Sequence, residues 1–377
     1  MKKKISILGS TGSIGLSTLN IIDKKKKYFK INFLSADKNF KLICKQITKY
    51  RPNHFIINNR KIYYKVKKKF KKNKTIISND FYLKNVKKSD ITISAIPGIA
   101  GLAPTIFAIK KTNKILIANK ESVICGWNLI KNHSIKYKTK IVPLDSEHYS
   151  ICQLIDQEDI SSIKKIYITA SGGPFLNYKK EKFKTIRPKD ALKHPKWKMG
   201  KKISIDSATL MNKILEVAEA EKLFNISNSK FEILIHPESL VHAIVEFKNG
   251  LKKFIYHDTS MIIPIANAIF DKKVNIANFY NSSNKSLINN LSFSKVNSSN
   301  FPLIKIKKKI NQHPSSSIIF NAANEMLVEY FLRKKVPFLG ISKGIFKILS
   351  DSNFKKYAIK KPTTIKDIIE INDWAKE

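Results

Sequence analysis

Over the first 145 residues, short apolar runs alternate with longer lysine-rich stretches whose apolar positions recur every three or four residues. The runs lie at 5–8, 31–35, 54–57, 91–95, 114–118 and 140–143, and their β-branched content marks them as strands. Strands separated by amphipathic helices predict βαβ units and a mostly parallel sheet. From 146 the pattern opens with a helix and continues with strand candidates at 166–170, 231–235, 243–247 and 252–257. This predicts an α+β domain with a partly open sheet. The stretch 271–300 is polar, with Asn281-Ser282-Ser283-Asn284 and Asn297-Ser298-Ser299-Asn300, and reads as a linker. Helical periodicity then dominates. Ile318, Ile319, Ala322, Met326, Val328 and Phe331 form an apolar stripe over 316–334, and Thr364 with Asp367 marks a capped helix start. The expected organisation is a Rossmann-like domain at 1–145, a central domain at 146–270, a linker at 271–300 and a helical bundle at 301–377.

A chain of 377 residues exceeds one hydrophobic core, and 43% apolar residues is ordinary for a globular protein. Cys44, Cys125 and Cys152 are scattered, which points to a reducing compartment, and a cytoplasmic location is expected. Lys2–Lys4 lead straight into the first strand, so no targeting peptide is expected. The charge-free stretch 91–109 contains Pro97, Gly98, Gly101 and Pro104, which suit a strand, turn and helix start rather than a membrane span. A net charge of +43 suggests a nucleic-acid binder. Against that, the arginines are only Arg51, Arg60, Arg187 and Arg333, and the lysines are spread evenly. A solvated lysine surface that attracts anionic substrates is the better reading, with no specific nucleic-acid or membrane partner.

Five groups of residues carry chemistry. Gly9, Gly12 and Gly15 lie between a strand and a helix, where backbone N–H groups would face a pyrophosphate; a ligand-free tight turn is the plain alternative. Downstream, Asp37 would favour a ribose 2′-hydroxyl while Lys38 would favour a 2′-phosphate, and the two cues conflict. Asp145 and Glu147, read as part of an extended segment, would point to one side and hold a hard cation, with His148 off that face. A solvated acidic pair is the alternative. Ser171-Gly172-Gly173 could form a concave anion site, with a plain turn as the alternative, and Ser207 with Asn212 and Lys213 could hold a phosphate. Glu216 would share a helix face with Asn212 and Lys213, where an ordinary ion pair is the rival reading. His194–Gly200 sets His, Trp and Met among lysines in a segment without apolar period, as a mobile lid would; a loop that Trp197 anchors to the domain surface is the alternative.

The segments 7–15, 118–122, 142–148, 171–175, 194–200, 202–216, 235–239 and 321–325, in this order, resemble the 1-deoxy-D-xylulose 5-phosphate reductoisomerase family of the non-mevalonate isoprenoid pathway. The resemblance implies an NADPH domain, a catalytic domain with a flap at about 180–202, a C-terminal helical bundle and a homodimer. The reaction it implies rearranges a phosphorylated sugar and reduces the aldehyde formed to 2-C-methyl-D-erythritol 4-phosphate. By motif position, Asp145, Glu147 and Glu216 would hold Mg²⁺ or Mn²⁺. Lys120 and Ser146 would position substrate hydroxyls, and Ser171, Ser207, Asn212 and Lys213 would grip the phosphate. Glu147 and Glu216 would also touch substrate, and His194 and Trp197 would close the flap. Thr11, Gly12, Ser13, Ile14, Lys38, Asn39, Asn119, Glu121 and Gly200 would contact the cofactor, with Asp37 beside them.

The chain departs from the family pattern in three places. Asp37 replaces a glycine beside the 2′-phosphate site, Ile214 replaces a glycine between Lys213 and Glu216, and 260–264 lacks an expected ion pair. A semialdehyde-type dehydrogenase would share the nucleotide turn but would not need three carboxylates around a cation.

Overall fold

The computed structural model describes residues 2–81, 86–197, 199–281 and 290–377. Lys198 of the lid motif and Ser282, Ser283 and Asn284 of the polar stretch lie outside the described residues. The elements run β1 (Lys3–Leu8), α1 (Ser13–Lys24), β2 (Phe29–Ala36), α2 (Phe40–Tyr50), β3 (His54–Ile57), α3 (Arg60–Lys69), β4 (Ile76–Ser78), β5 (Ser89–Ser94), α4 (Leu102–Ile109), β6 (Thr112–Ile117), α5 (Lys120–Lys136), β7 (Lys140–Pro143) and α6 (Ser146–Leu154). They continue with β8 (Ile163–Ala170), α7 (Pro188–Ala191), α8 (Lys201–Ala208), α9 (Met211–Phe224), β9 (Phe231–Ile235), β10 (Val241–Phe247), β11 (Lys252–Tyr256), α10 (Ile262–Phe270), β12 (Ser294–Lys295), α11 (Ser316–Leu332), α12 (Phe338–Leu349), α13 (Phe354–Ala358) and α14 (Ile365–Trp374).

These elements form two compact units. The first comprises Met1–Ser122, Gly126–Asp145 and Ser260–Ser283. Its seven-stranded sheet has the order β4-β3-β2-β1-β5-β6-β7, and every pair is parallel. Ile5, Ile7 and Leu8 of β1 are fully buried, as a strand covered on both faces requires. The chain order reverses on either side of β1, and such a switch point is where open α/β sheets bind ligands beyond the strands' carboxyl ends. Residues 260–281, which the sequence pattern divided between central domain and linker, cluster with this unit. The buried Lys114 ammonium donates to Ala268 O at 2.9 Å and to Asp271 at 2.6 Å, and the rings of Phe29 and Phe270 meet edge-on at 5.5 Å.

The second unit holds Val123–Cys125, Ser146–Thr259 and Asn284–Glu377. Its five-stranded sheet runs β11-β10-β8-β9-β12, antiparallel except for β8 with β9. The run Met211–Ala220 of α9 is buried at every residue, so this helix lies inside the unit. Phe175, Phe183, Ile186, Ala191, Phe331 and Phe338 belong to one apolar cluster, which roots both stems of the 180–202 segment beside α11 and α12. Near the C-terminus Thr364 caps α14 as expected, and Asp367 completes a capping box with it.

Candidate active site

In the first unit the loop after β1 turns too sharply for a side chain at Gly9 or Gly15. Gly9 has φ +81°, and a Cβ there would come within 2.5 Å of Ala95 O. A Cβ on Gly15 would come within 2.4 Å of Gly9 O, because the start of α1 packs directly on the turn. The turn is pinned from outside: Ser35 O accepts from the backbone N–H of Gly9 and Ser10 at 3.1 and 2.8 Å. No side chain caps α1 at Gly12, and the Gly12 N–H donates to Gly9 O at 3.1 Å, so the N–H groups left without a partner inside the helix are those of its first turn, at Ser13 and Ile14. That is the geometry of an anion cradle.

Two of the expected cofactor contacts have structural duties. Asn39 caps α2 by accepting from Leu42 N–H at 3.1 Å. Asn119 caps α5 by accepting from Ser122 N–H at 2.8 Å, and it donates to Gly98 O at 3.0 Å. Asp37 and Lys38 are exposed at the end of β2, their charged groups 4.0 Å apart. Glu121 is buried in the first turn of α5. Lys120, one residue earlier, pairs with Asp145 at 2.8 Å, so these two expected site residues meet within this unit.

In the second unit Glu147 stands in the first turn of α6. It is therefore not in an extended segment, and the same-side argument for Asp145 and Glu147 fails. What orients Glu147 is a helix start, with Ser146 Oγ donating to its carboxylate at 2.7 Å. Across from it, α9 presents Asn212, Lys213 and Glu216 on one face, as their spacing predicted. The Lys213 ammonium donates to Glu216 at 2.9 Å and to Glu147, and Asn212 donates to the other Glu216 oxygen. The Glu216 side chain is 2% exposed, Lys213 11% and Glu147 14%. Burial alone would raise the Glu147 carboxyl, but the Lys213 ammonium, His242 and the hydrogen bonds from Lys213 and Ser146 hold it well below the usual carboxylate range. Burial opposes the Lys213 charge, and the two glutamates outweigh it, so its pKa is raised. Two carboxylates thus face a shared positive charge.

Beneath Glu216, the buried His148 ring donates from Nε2 to Glu216 O at 2.9 Å and lies 3.3 Å from Glu219 through Nδ1. Ile214, the residue that replaces a family glycine, is wholly buried in a continuous helix and leaves the Glu216 contacts in place.

The Ser171 turn needs both of its glycines. Gly172 and Gly173 have φ of +82° and +64°, and a Cβ on Gly173 would meet Ser207 O at 3.1 Å, so the turn lies against the C-terminal end of α8. Ser171 Oγ accepts from Gly173 N–H at 3.1 Å. His194 Nδ1 accepts from Trp197 N–H at 2.9 Å and Lys196 N–H at 3.2 Å, which places the ring proton on Nε2, donated to Ser171 Oγ at 3.0 Å. With two donors already on its oxygen, Ser171 has its own proton left to give to an anion. Burial, helped by Lys213, lowers the His194 pKa to about 4, so the ring is neutral near pH 7. Gly200 is the exposed N-cap of α8.

Sequence reasoning missed two histidines. His242 lies on β10 and carries enough coupling to Glu147 to lower that group's pKa. Its ring stacks on His257 at 3.9 Å and meets Trp197 edge-on at 6.1 Å. A signal existed in the run Val241-His242-Ala243-Ile244-Val245, where a polar ring interrupts a buried strand.

A parallel sheet with a glycine turn at its switch point, together with buried carboxylates gathered on a cation and a serine poised for an anion, defines a nucleotide- and metal-dependent enzyme acting on an anionic substrate. Family models described as 1-deoxy-D-xylulose 5-phosphate reductoisomerase, its C-terminal domain and the DXP reductoisomerase C-terminal domain match residues 5–126, 141–224 and 258–377. The chain belongs to the 1-deoxy-D-xylulose 5-phosphate reductoisomerase family. It is 46% identical to the protein of that name from Pelagibacter ubique, over 99% of this chain and 97% of that one. The Buchnera aphidicola relative is 39% identical over 98% of this chain and 96% of its own. A solved reductoisomerase from Zymomonas mobilis in complex with NADPH superposes with a TM-score of 0.88 at 31% identity, covering 100% of this chain and 97% of that one. A reductoisomerase structure in complex with NADPH, fosmidomycin and magnesium gives 0.90 at 30% identity, covering 99% and 96%.

Proposed function

We infer that this protein converts 1-deoxy-D-xylulose 5-phosphate to 2-C-methyl-D-erythritol 4-phosphate, using NADPH and a divalent metal, in the making of isoprenoid precursors. The observation that carries the reading is the Glu147–Lys213–Glu216 arrangement. Buried carboxylates that converge on an ammonium have the charge and oxygen donors that Mg²⁺ or Mn²⁺ requires. Asp145, one peptide link before Ser146, supplies the third carboxylate of the proposed set. When bound, the metal supplies Lewis-acid polarisation of the substrate's carbonyl and neighbouring hydroxyl. NADPH supplies the hydride for the aldehyde carbon, and a proton from solvent completes the new alcohol.

The chain's own residues do the rest. Lys213, released from the carboxylates, joins Asn212 and Ser207 at the phosphate, where Ser171 donates its hydroxyl. Ser146 and Lys120 orient substrate hydroxyls. The N–H groups of the first turn of α1 hold the cofactor pyrophosphate, with Thr11, Gly12, Ser13 and Ile14 around it. Lys38 faces the 2′-phosphate, and Glu121 and Gly200 border the cofactor. His194 and Trp197 bring the flap over the substrate and exclude water, which strengthens each charge interaction inside. Glu216→Gln should lower turnover more than about a hundredfold while the circular dichroism spectrum is retained; normal turnover would remove Glu216 from the ligand set.

The protein works in the cytoplasm as a homodimer. The edge strand β11 supports dimerisation, with Phe254 50% exposed and Leu251 just before it 61% exposed. Among the described residues, no helix is long and apolar enough to cross a membrane.

A further inference from the structure

His257 belongs to none of the groups assigned above; it is half-buried in the second unit, with its ring against His242. Its Nδ1 donates to Asp258 O at 2.8 Å, and its Nε2 is buried without a hydrogen-bond partner among the described residues. An imidazole held this way is not there for its own polar contacts, since a buried unpaired nitrogen is unfavourable. What its ring does is cover a face of His242. The centroids are 3.9 Å apart and the planes 18° from parallel, while His242 Nε2 donates to the His257 carbonyl at 3.2 Å. One edge of His242 is thus fixed by a backbone oxygen and one face by a ring. Trp197, in the His194–Gly200 motif, packs against His242 at 6.1 Å and 71°.

We propose that His257 is a positioning residue for the flap: its ring fixes the plane of His242, and His242 in turn forms the wall against which Trp197 docks when substrate is bound. The proposal rests on the reading of 194–200 as a flap that closes over substrate. Without the His257 ring, His242 can rotate about its side-chain bonds and the wall for Trp197 is lost. The closed flap is then less populated, and apparent substrate affinity falls in proportion to that population. A step made after closure keeps its rate. The effect therefore belongs in substrate binding and KM rather than in kcat.

The test compares His257→Ala with His257→Phe, since phenylalanine keeps a flat ring and both variants keep the backbone carbonyl that holds His242. Calorimetric titration of 1-deoxy-D-xylulose 5-phosphate into the protein with Mn²⁺ and without NADPH reads binding alone; steady-state NADPH oxidation reads KM and kcat. His257→Ala should weaken binding and raise KM by about three- to tenfold, the range of one ring-stacking contact, with kcat within about twofold. His257→Phe should restore both to within about twofold of the unmodified protein. Unchanged binding in His257→Ala, an effect that phenylalanine does not rescue, or a loss confined to kcat would overturn the proposal. Failure of the unmodified protein to oxidise NADPH would count against the assigned reaction, a separate result, because the titration reads His257 without turnover.

Discussion

Lys213 shows how one side chain answers to two partners. It stands between Glu147 and Glu216 and is nearly buried with them. Removing one member of such a group leaves the others charged and uncompensated, at about 3–5 kcal/mol. Lys213→Met should therefore lower stability by about that amount in metal-free buffer, measured by urea unfolding. Mn²⁺ should restore more stability to the variant than to the unmodified protein, because the ion replaces the missing charge. Equal responses to Mn²⁺ would mean that the carboxylates do not gather on a cation.

His194 makes a second residue-scale prediction. Its pKa is lowered from 6.5 to about 4 in the fold, first by burial and then by Lys213. Below pH 6.5 the unfolded chain takes up a proton that the folded ring refuses until about pH 4. Acid therefore lowers stability across that window, and stability rises with pH through it. His194→Gln should flatten the dependence between pH 4.5 and 7 in urea unfolding, and an unchanged slope would place the ring in water.

Among the elements, legibility followed periodicity. The strands at 54–57, 140–143 and 231–235 have the predicted bounds: the first is buried at every residue, the last alternates, and 140–143 is a short β-branched run closed by Pro143. β4 (Ile76–Ser78) and β12 (Ser294–Lys295) were not predicted: both are short, sit at sheet edges and lie in polar sequence. The helix beginning at Ser146 was legible, yet Glu147 was read as extended because the strand–helix junction falls within two residues of it. Of the site, the glycine turn, the Ser171 turn and the shared face of Asn212, Lys213 and Glu216 could be read from spacing, which is local information. The approach of Glu147 to Lys213 and the column of Trp197, His242 and His257 join residues far apart in the chain, and no local pattern encodes them. The edge strand β11 carries its own prediction. A lysine placed at Phe254 in an exposed edge repels a second copy, so Phe254→Lys should shift the protein to a monomer in light scattering. An unaltered dimer would move the interface elsewhere, and a monomeric unmodified protein would end the dimer proposal.

At the scale of the whole molecule, a net charge of +43 suits the proposed ligands, which are anionic or metal-bound. The lysine excess speeds encounter with such ligands and leaves their identity to the buried groups. In the proposed reading the two units divide the chemistry: the first, with the parallel sheet, would offer the glycine turn, and the second would offer Glu147, Glu216 and Ser171. The central claim is that both serve one metal-dependent reduction. The most direct measurement is NADPH oxidation on addition of 1-deoxy-D-xylulose 5-phosphate to EDTA-stripped protein, with and without Mn²⁺. The account predicts turnover only when the metal is restored; steady oxidation in its absence, or none in its presence, would contradict it.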